Sequence, residues 1–141
     1  MGALHLKLFL DLNRARAVAA RRFDAELGAV HGIGLNDLQL LLALDQAPER
    51  RKRRSDLARE LGVTPSGVTW MLRPLVKRRL VAGEASGDDA RVAFAVLTEA
   101  GRRLVAEALP SARALAGEFL ESRLDKSEVS PAAELVARLS A

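Results

Sequence analysis

The stretch "RSDLARELGVTPSGVTW", residues 54–70, constrains this chain more than any other part of it. Leu57, Ala58 and Leu61 have the spacing of one inner helix face, and Gly62 supplies a left-handed stop after them. Val63 can plug the corner with its apolar side inward. Thr64 is a natural N-cap, and Pro65 suits the first position of a second helix, where its missing N–H goes unused. Short helix, tight glycine turn and second helix together make a helix-turn-helix. In the second helix Val68, Leu72, Leu75 and Val76 share one face, while Ser66, Thr69, Trp70, Arg73 and Lys77 share the other. Pro74 removes the donor for the Trp70 carbonyl and crowds it with its ring. The expectation is one continuous element over residues 65–79, bent mildly between positions 70 and 74.

What flanks this motif completes a lobe. In "LVAGEASGDDARVAFAVLT" the period changes from helical to extended, with turn chemistry at "SGDD". Residues 80–84 can pair with residues 92–97 as a hairpin, and a hairpin directly after a helix-turn-helix is a wing. Upstream, "LNDLQLLLALDQAP" predicts a helix with Asn36 as N-cap, Gln39 completing a capping box and Pro48 ending it. Between them "ERRKRR" is too charged for a core and reads as an exposed connection or the start of the next helix.

The two ends are helical. Leu8, Leu12, Ala15, Ala19, Phe23 and Leu27 form one stripe, and Leu6, Phe9, Ala17 and Ala20 lie off it. A helix over about residues 4–28 is therefore apolar on more than one face, and is buried on two sides or pairs with another chain. Thr98 caps a further helix whose broad apolar face includes Leu115 and Phe119, with Pro110 expected to kink it. A last helix carries Leu135 and ends near Leu139; either Asp125 with Glu128, or Ser130 with Pro131, could cap its start.

Charge is unevenly spread. The net charge is +4, yet residues 50–79 hold ten basic groups against Asp56 and Glu60, leaving that segment at +8 and the rest at −4. A basic patch in an otherwise acidic chain points to a localised anionic partner. Cysteine is absent, which excludes disulfides and thiolate chemistry. His5 and His31 have no metal-ligand spacing, and Ser55 and Ser66 have no histidine base. Neither an enzyme nor a cofactor or metal site is expected. No apolar run reaches the ~20 residues of a membrane span. The N-terminal segment faintly imitates a signal peptide, but Lys7 and Asp11 interrupt its apolar stretch, and a helix with charged positions explains it better. The chain reads as cytoplasmic.

The collinear set "LNDLQ", "SDLARELGVTPSGVTWMLRPL", "RLV", "DDAR" and "VLTEAGRRL" resembles the MarR family of bacterial transcriptional regulators over about residues 35–105. The resemblance implies a mainly α (α+β) winged helix-turn-helix with flanking N- and C-terminal dimerisation helices. It implies one compact domain in three parts: a dimerisation helix and loop (1–34), the DNA-binding lobe (35–97) and C-terminal dimerisation helices (98–141). Two copies would pair through Leu8, Leu12, Phe23, Leu115, Phe119, Leu135 and Leu139. Each copy would set its second helix into the major groove, presenting Thr64, Pro65, Ser66, Gly67, Thr69, Trp70, Arg73 and Lys77, with Arg54 and Ser55 from the preceding helix. Arg91 of "DDAR" matches the arginine that the family places in the minor groove, oriented by Asp89.

The implied partners are a pseudo-palindromic double-stranded DNA operator, a second copy of the chain and a small-molecule effector of unidentified site, with no membrane. The implied role is a ligand-responsive repressor. Arg73 has the fork geometry that reads guanine, whereas Trp70 could pack on sugar or a thymine methyl or fold back onto the wing. The chain also departs from the family pattern. Arg79 stands where the family has glycine, and Gly83 and Glu84 stand where the first wing strand has arginines. The cluster Arg50–Arg54 could offset that loss at the phosphates. An alternative is a winged-helix dimer that has lost DNA reading and binds a protein partner.

Overall fold

The computed structural model describes the backbone of residues 1–86 and 89–141 and the side chains of residues 1–84 and 93–141. In chain order the elements are α1 (Gly2–His31), α2 (Leu35–Asp45), a 3-10 turn (Pro48–Arg50), β1 (Arg51–Arg53), α3 (Arg54–Leu61), α4 (Pro65–Lys77), β2 (Val81–Ser86), β3 (Asp89–Leu97), α5 (Glu99–Glu121) and α6 (Lys126–Leu139). The mainly helical winged architecture expected from the sequence is the one observed. Among the described residues no single helix is long and apolar enough to cross a membrane.

Helix α2 is the centre of packing. Leu38, Leu40, Leu41, Ala43 and Leu44 are all buried, and α2 touches α1, α3, α4, α5, β1 and β3. Each fully buried leucine contributes about 1.5–3 kcal/mol relative to exposure, so this helix anchors the lobe. Its start corrects the expected cap. Gly34, not Asn36, is the N-cap; Asp37 accepts the Gly34 N–H at 2.9 Å, and Asp24 of α1 accepts the Leu35 N–H at 2.8 Å. The orphan donors of the first turn are met partly by a neighbouring helix, which local sequence cannot show. The axis turns by 72° between α1 and α2.

"ERRKRR" is the second correction. It is neither loop nor helix throughout: Arg51, Lys52 and Arg53 form β1, antiparallel to β3 with Arg51 opposite Val96 and Arg53 opposite Phe94. The sheet order is β1-β3-β2, with Val81 opposite Leu97 and Glu84 opposite Phe94 in the wing. The predicted turn residues Gly87 and Asp88 lie outside the described residues. Ala95 and Leu97 face the core, and Phe94 carries the Arg51 guanidinium 4.0 Å above its ring.

Thr98 caps α5 as expected, accepting the Gly101 N–H at 3.1 Å, and its hydroxyl lies 3.0 Å from the Leu80 carbonyl. That carbonyl also accepts the Thr98 N–H at 3.1 Å. Gly101 presses on the same spot, since a Cβ there would sit 2.3 Å from the Leu80 oxygen and 2.5 Å from a Leu97 methyl. The end of α4, the start of the wing and the start of α5 thus meet at one carbonyl. Pro74, Pro110 and Pro131 all lie inside helices that run on past them. For α6, the Asp125 cap is the one used, its N–H donating to Glu128 at 2.9 Å. No described side chain of α6 is buried, and in α1 only Leu27 is.

Candidate nucleic-acid interface

The helix-turn-helix is closed at both ends by the same hydrogen-bond pattern. After α3, the Val63 N–H reaches the Ala58 carbonyl at 2.9 Å and the Gly62 N–H reaches Arg59 at 3.3 Å. After α4, the Leu80 N–H reaches Leu75 at 2.9 Å and the Arg79 N–H reaches Val76 at 2.9 Å. Each closure needs one residue in the left-handed region. Gly62 supplies the first at φ 67°, and Arg79 the second at φ 60°. The family's glycine before "LV" is therefore a backbone requirement that Arg79 meets with some strain.

Thr64 caps α4, accepting the Gly67 N–H at 3.0 Å and lying 3.1 Å from the Ser66 hydroxyl. Gly67 is small for the turn's sake: a Cβ there would lie 3.2 Å from the Thr64 oxygen and 3.4 Å from Val63. Val63 itself is 38% exposed, so it lines the corner against Gly67 rather than plugging the core. The outer face of α4 carries Pro65, Ser66, Thr69, Trp70, Arg73 and Lys77, all exposed. Thr69 donates back to the Pro65 carbonyl at 3.3 Å. Trp70 is 69% exposed, and the Arg73 guanidinium carbon lies 5.0 Å from its ring centre. A cation–π contact at an exposed site is worth roughly 0.5–1 kcal/mol. Val76, expected inside, is 40% exposed because it lies at the border of the buried stripe.

Arg54 opens α3 and reaches beneath the wing. Its Nη2 lies 3.6 Å from where a Cβ on Gly83 would be, and it lines a shallow hollow with Thr69, Leu72, Arg73 and Val76. Its Nε is buried with no hydrogen-bond partner among the described residues. Ser55 beside it is exposed. The rest of the basic cluster is partly neutralised. Arg50 pairs with Asp45 at 3.3 Å, Arg51 with Glu84 at 3.2 Å, and Lys52 with Glu60. The pairing of Arg51 with Glu84 depends on β1, which sequence reasoning missed. The side chains of Asp89 and Arg91 lie outside the described residues; their backbones belong to β3.

The expected pairing residues do not share one surface. Leu8, Leu12, Leu135 and Leu139 line one apolar hollow with Ala132 and Val136, where the first half of α1 meets α6. Phe119 is half-buried, with the Arg123 guanidinium 3.7 Å above it. Leu115 and Phe23 belong elsewhere. Leu115 is 4% exposed and Phe23 packs on the main core, so the single chain already covers much of both. A broad apolar face shows that a helix is buried but not by what.

A model of the MarR family matches residues 31–92. The transcriptional regulator AdcR of Streptococcus pyogenes serotype M6 is 31% identical over 110 residues, covering 76% of this chain and 73% of that protein. Among solved structures, Sco3205, a MarR family transcriptional regulator from Streptomyces coelicolor in complex with DNA, is similar with a TM-score of 0.84 and 22% identity. That match covers 98% of this chain and 86% of the other. BpsR of Bordetella bronchiseptica, whose DNA binding is regulated by 6-hydroxynicotinic acid, is similar with a TM-score of 0.83 and 22% identity, over 96% of this chain and 99% of its own.

Proposed function

The chain belongs to the MarR family of transcriptional regulators, and from that premise we propose that it acts as a cytoplasmic homodimer that binds a pseudo-palindromic DNA operator. It represses transcription there and releases the site on binding a small anionic or phenolic ligand. The observation that carries the DNA reading is the outer face of α4. Ser66, Thr69, Trp70, Arg73 and Lys77 project together from a capped helix, with Arg54 beside them and the inner face locked into the core by Val68, Leu72 and Leu75. A rigid helix offering hydroxyls, an aromatic ring and cations is what a major groove admits and what base edges recognise.

The proposed partition assigns residues 35–97 to DNA, with Arg91 in the minor groove, and the outer helices to pairing. The apolar hollow shared by α1 and α6 supports pairing. The relatives described with DNA and with 6-hydroxynicotinic acid support an operator and an effector as classes.

Selection of bound sites from random duplexes tests the reading, followed by footprinting. Two inverted half-sites about one helical turn apart are expected. Arg73→Ala should weaken the selected site by roughly 1–3 kcal/mol and relax preference at one base pair. Uniform binding abolished by salt would leave no specific regulator. A reporter behind the selected site should fall on expression of the chain and recover with an effector found by screening for release.

A further inference from the structure

Besides the shared core, a charged side chain ties the end of α4 to the end of α1. Helix α1 ends at Gly32, in the left-handed region at φ 69°, whose N–H closes on Gly28 at 3.1 Å. The last carbonyls of a helix have no partner within it and carry partial negative charge. Arg78, the C-cap of α4, lies 46 residues further on, and its Nη1 donates to the Gly32 carbonyl at 2.6 Å. The guanidinium lies against the open side of the glycine. A Cβ at Gly32 would stand 3.4 Å from Nη2, 3.7 Å from Nη1 and 3.8 Å from Cζ.

Both ends of this link are held. On one side His31 Nε2 lies 3.0 Å from the Ser111 hydroxyl, tying the last turn of α1 to α5. On the other, left-handed Arg79 and the bond from Leu80 to Leu75 fix the backbone from which Arg78 projects. Helix α1 packs along α5 and α2 rather than along α4.

We propose that Arg78 is a positioning residue for DNA recognition: a strut that fixes the tilt of α4 relative to α1, and so the separation of the two recognition helices in the dimer. This rests on the dimeric DNA-binding reading above. Spacing is a demanding quantity, because half-sites sit about 34–36 Å apart for ~10–10.5 base pairs, so a shift of ~3.4 Å changes the preferred spacer by one pair. Losing the strut relaxes spacer choice without touching the bases read.

The experiment uses the full chain and a library of two fixed half-sites separated by variable spacers. Wild-type protein should favour one spacer sharply. If it shows no spacer preference, the dimeric reading fails before the strut is in question. Arg78→Ala should lose about tenfold at the favoured spacer, the scale of one charge-assisted hydrogen bond, while spacers one pair shorter or longer change by less than about threefold. Arg78→Met keeps the apolar stem without the donor and should behave like alanine, whereas Arg78→Lys retains a donor and should restore most of the preference. Thermal unfolding checks that each variant is folded, and Arg78→Met serves should the alanine variant be unstable. An equal loss at every spacer, with the salt dependence falling by about one unit, would make Arg78 a phosphate contact and overturn the strut. An unchanged spacer profile in all three variants overturns it too.

Discussion

Two residues at equivalent turns, Gly62 and Arg79, show how a backbone demand can be met with or without a side chain. Both sit near φ 65°, at 67° and 60°. A side chain in that region costs roughly 1–2 kcal/mol, offset in part by the freedom glycine loses on folding. Arg79→Gly should therefore raise stability by about 0.5–1 kcal/mol, read as a higher urea midpoint at unchanged slope. Gly101 is the opposite case. Gly101→Ala would drive a methyl into the Leu80 carbonyl and a Leu97 methyl, at 2.3 and 2.5 Å. Overpacking against backbone should cost ~3 kcal/mol in the same assay; a neutral result would mean that α5 can slide, contrary to the packing described. Caps were legible at this scale because Thr64 and Thr98 act on their own helices. The start of α2 was read two residues late: Asp37 takes the Gly34 N–H locally, but the Leu35 N–H goes to Asp24 of another helix.

Among the elements, α3, α4 and the hairpin could be read from the sequence, since stop, cap and change of period are local signals. Strand β1 could not: three consecutive cations carry no strand signature, and only pairing with β3 makes them one. That pairing alters what the basic cluster can do. Arg50, Arg51 and Lys52 face Asp45, Glu84 and Glu60, while Arg53 and Arg54 make no ion pair among the described residues. Paired cations release fewer counterions on meeting phosphate. Arg53→Ser with Arg54→Ser should flatten the salt dependence of DNA binding by up to about two units. The triple serine variant at Arg50, Arg51 and Lys52 should change it by less than about one unit. The reverse order would show that the carboxylates yield to DNA. Exposed pairs of this kind contribute little to stability in any case.

At the scale of the molecule, every buried apolar residue lies between Leu27 and Leu115, and both ends of the chain extend beyond that span. Leu8, Leu135 and Leu139 stay half-exposed around their shared hollow. Leu135→Glu with Leu139→Glu should yield a folded monomer by sedimentation, with helical signal nearly intact and operator binding weaker by at least about a hundredfold, as two-site binding is lost. A variant that still sediments as a dimer would move the pairing surface elsewhere. The sequence showed that the ends were amphipathic; which apolar residues the chain keeps for itself, Leu115 and Phe23 among them, is set by tertiary packing that periodicity does not reveal.

The Leu80 carbonyl has a mechanical consequence. It takes the Thr98 N–H, lies beside the Thr98 hydroxyl, bears on Gly101 and belongs to the residue whose own N–H closes the reading helix on Leu75. A displacement at the start of α5 would therefore be felt at the start of the wing and at the end of the reading helix together.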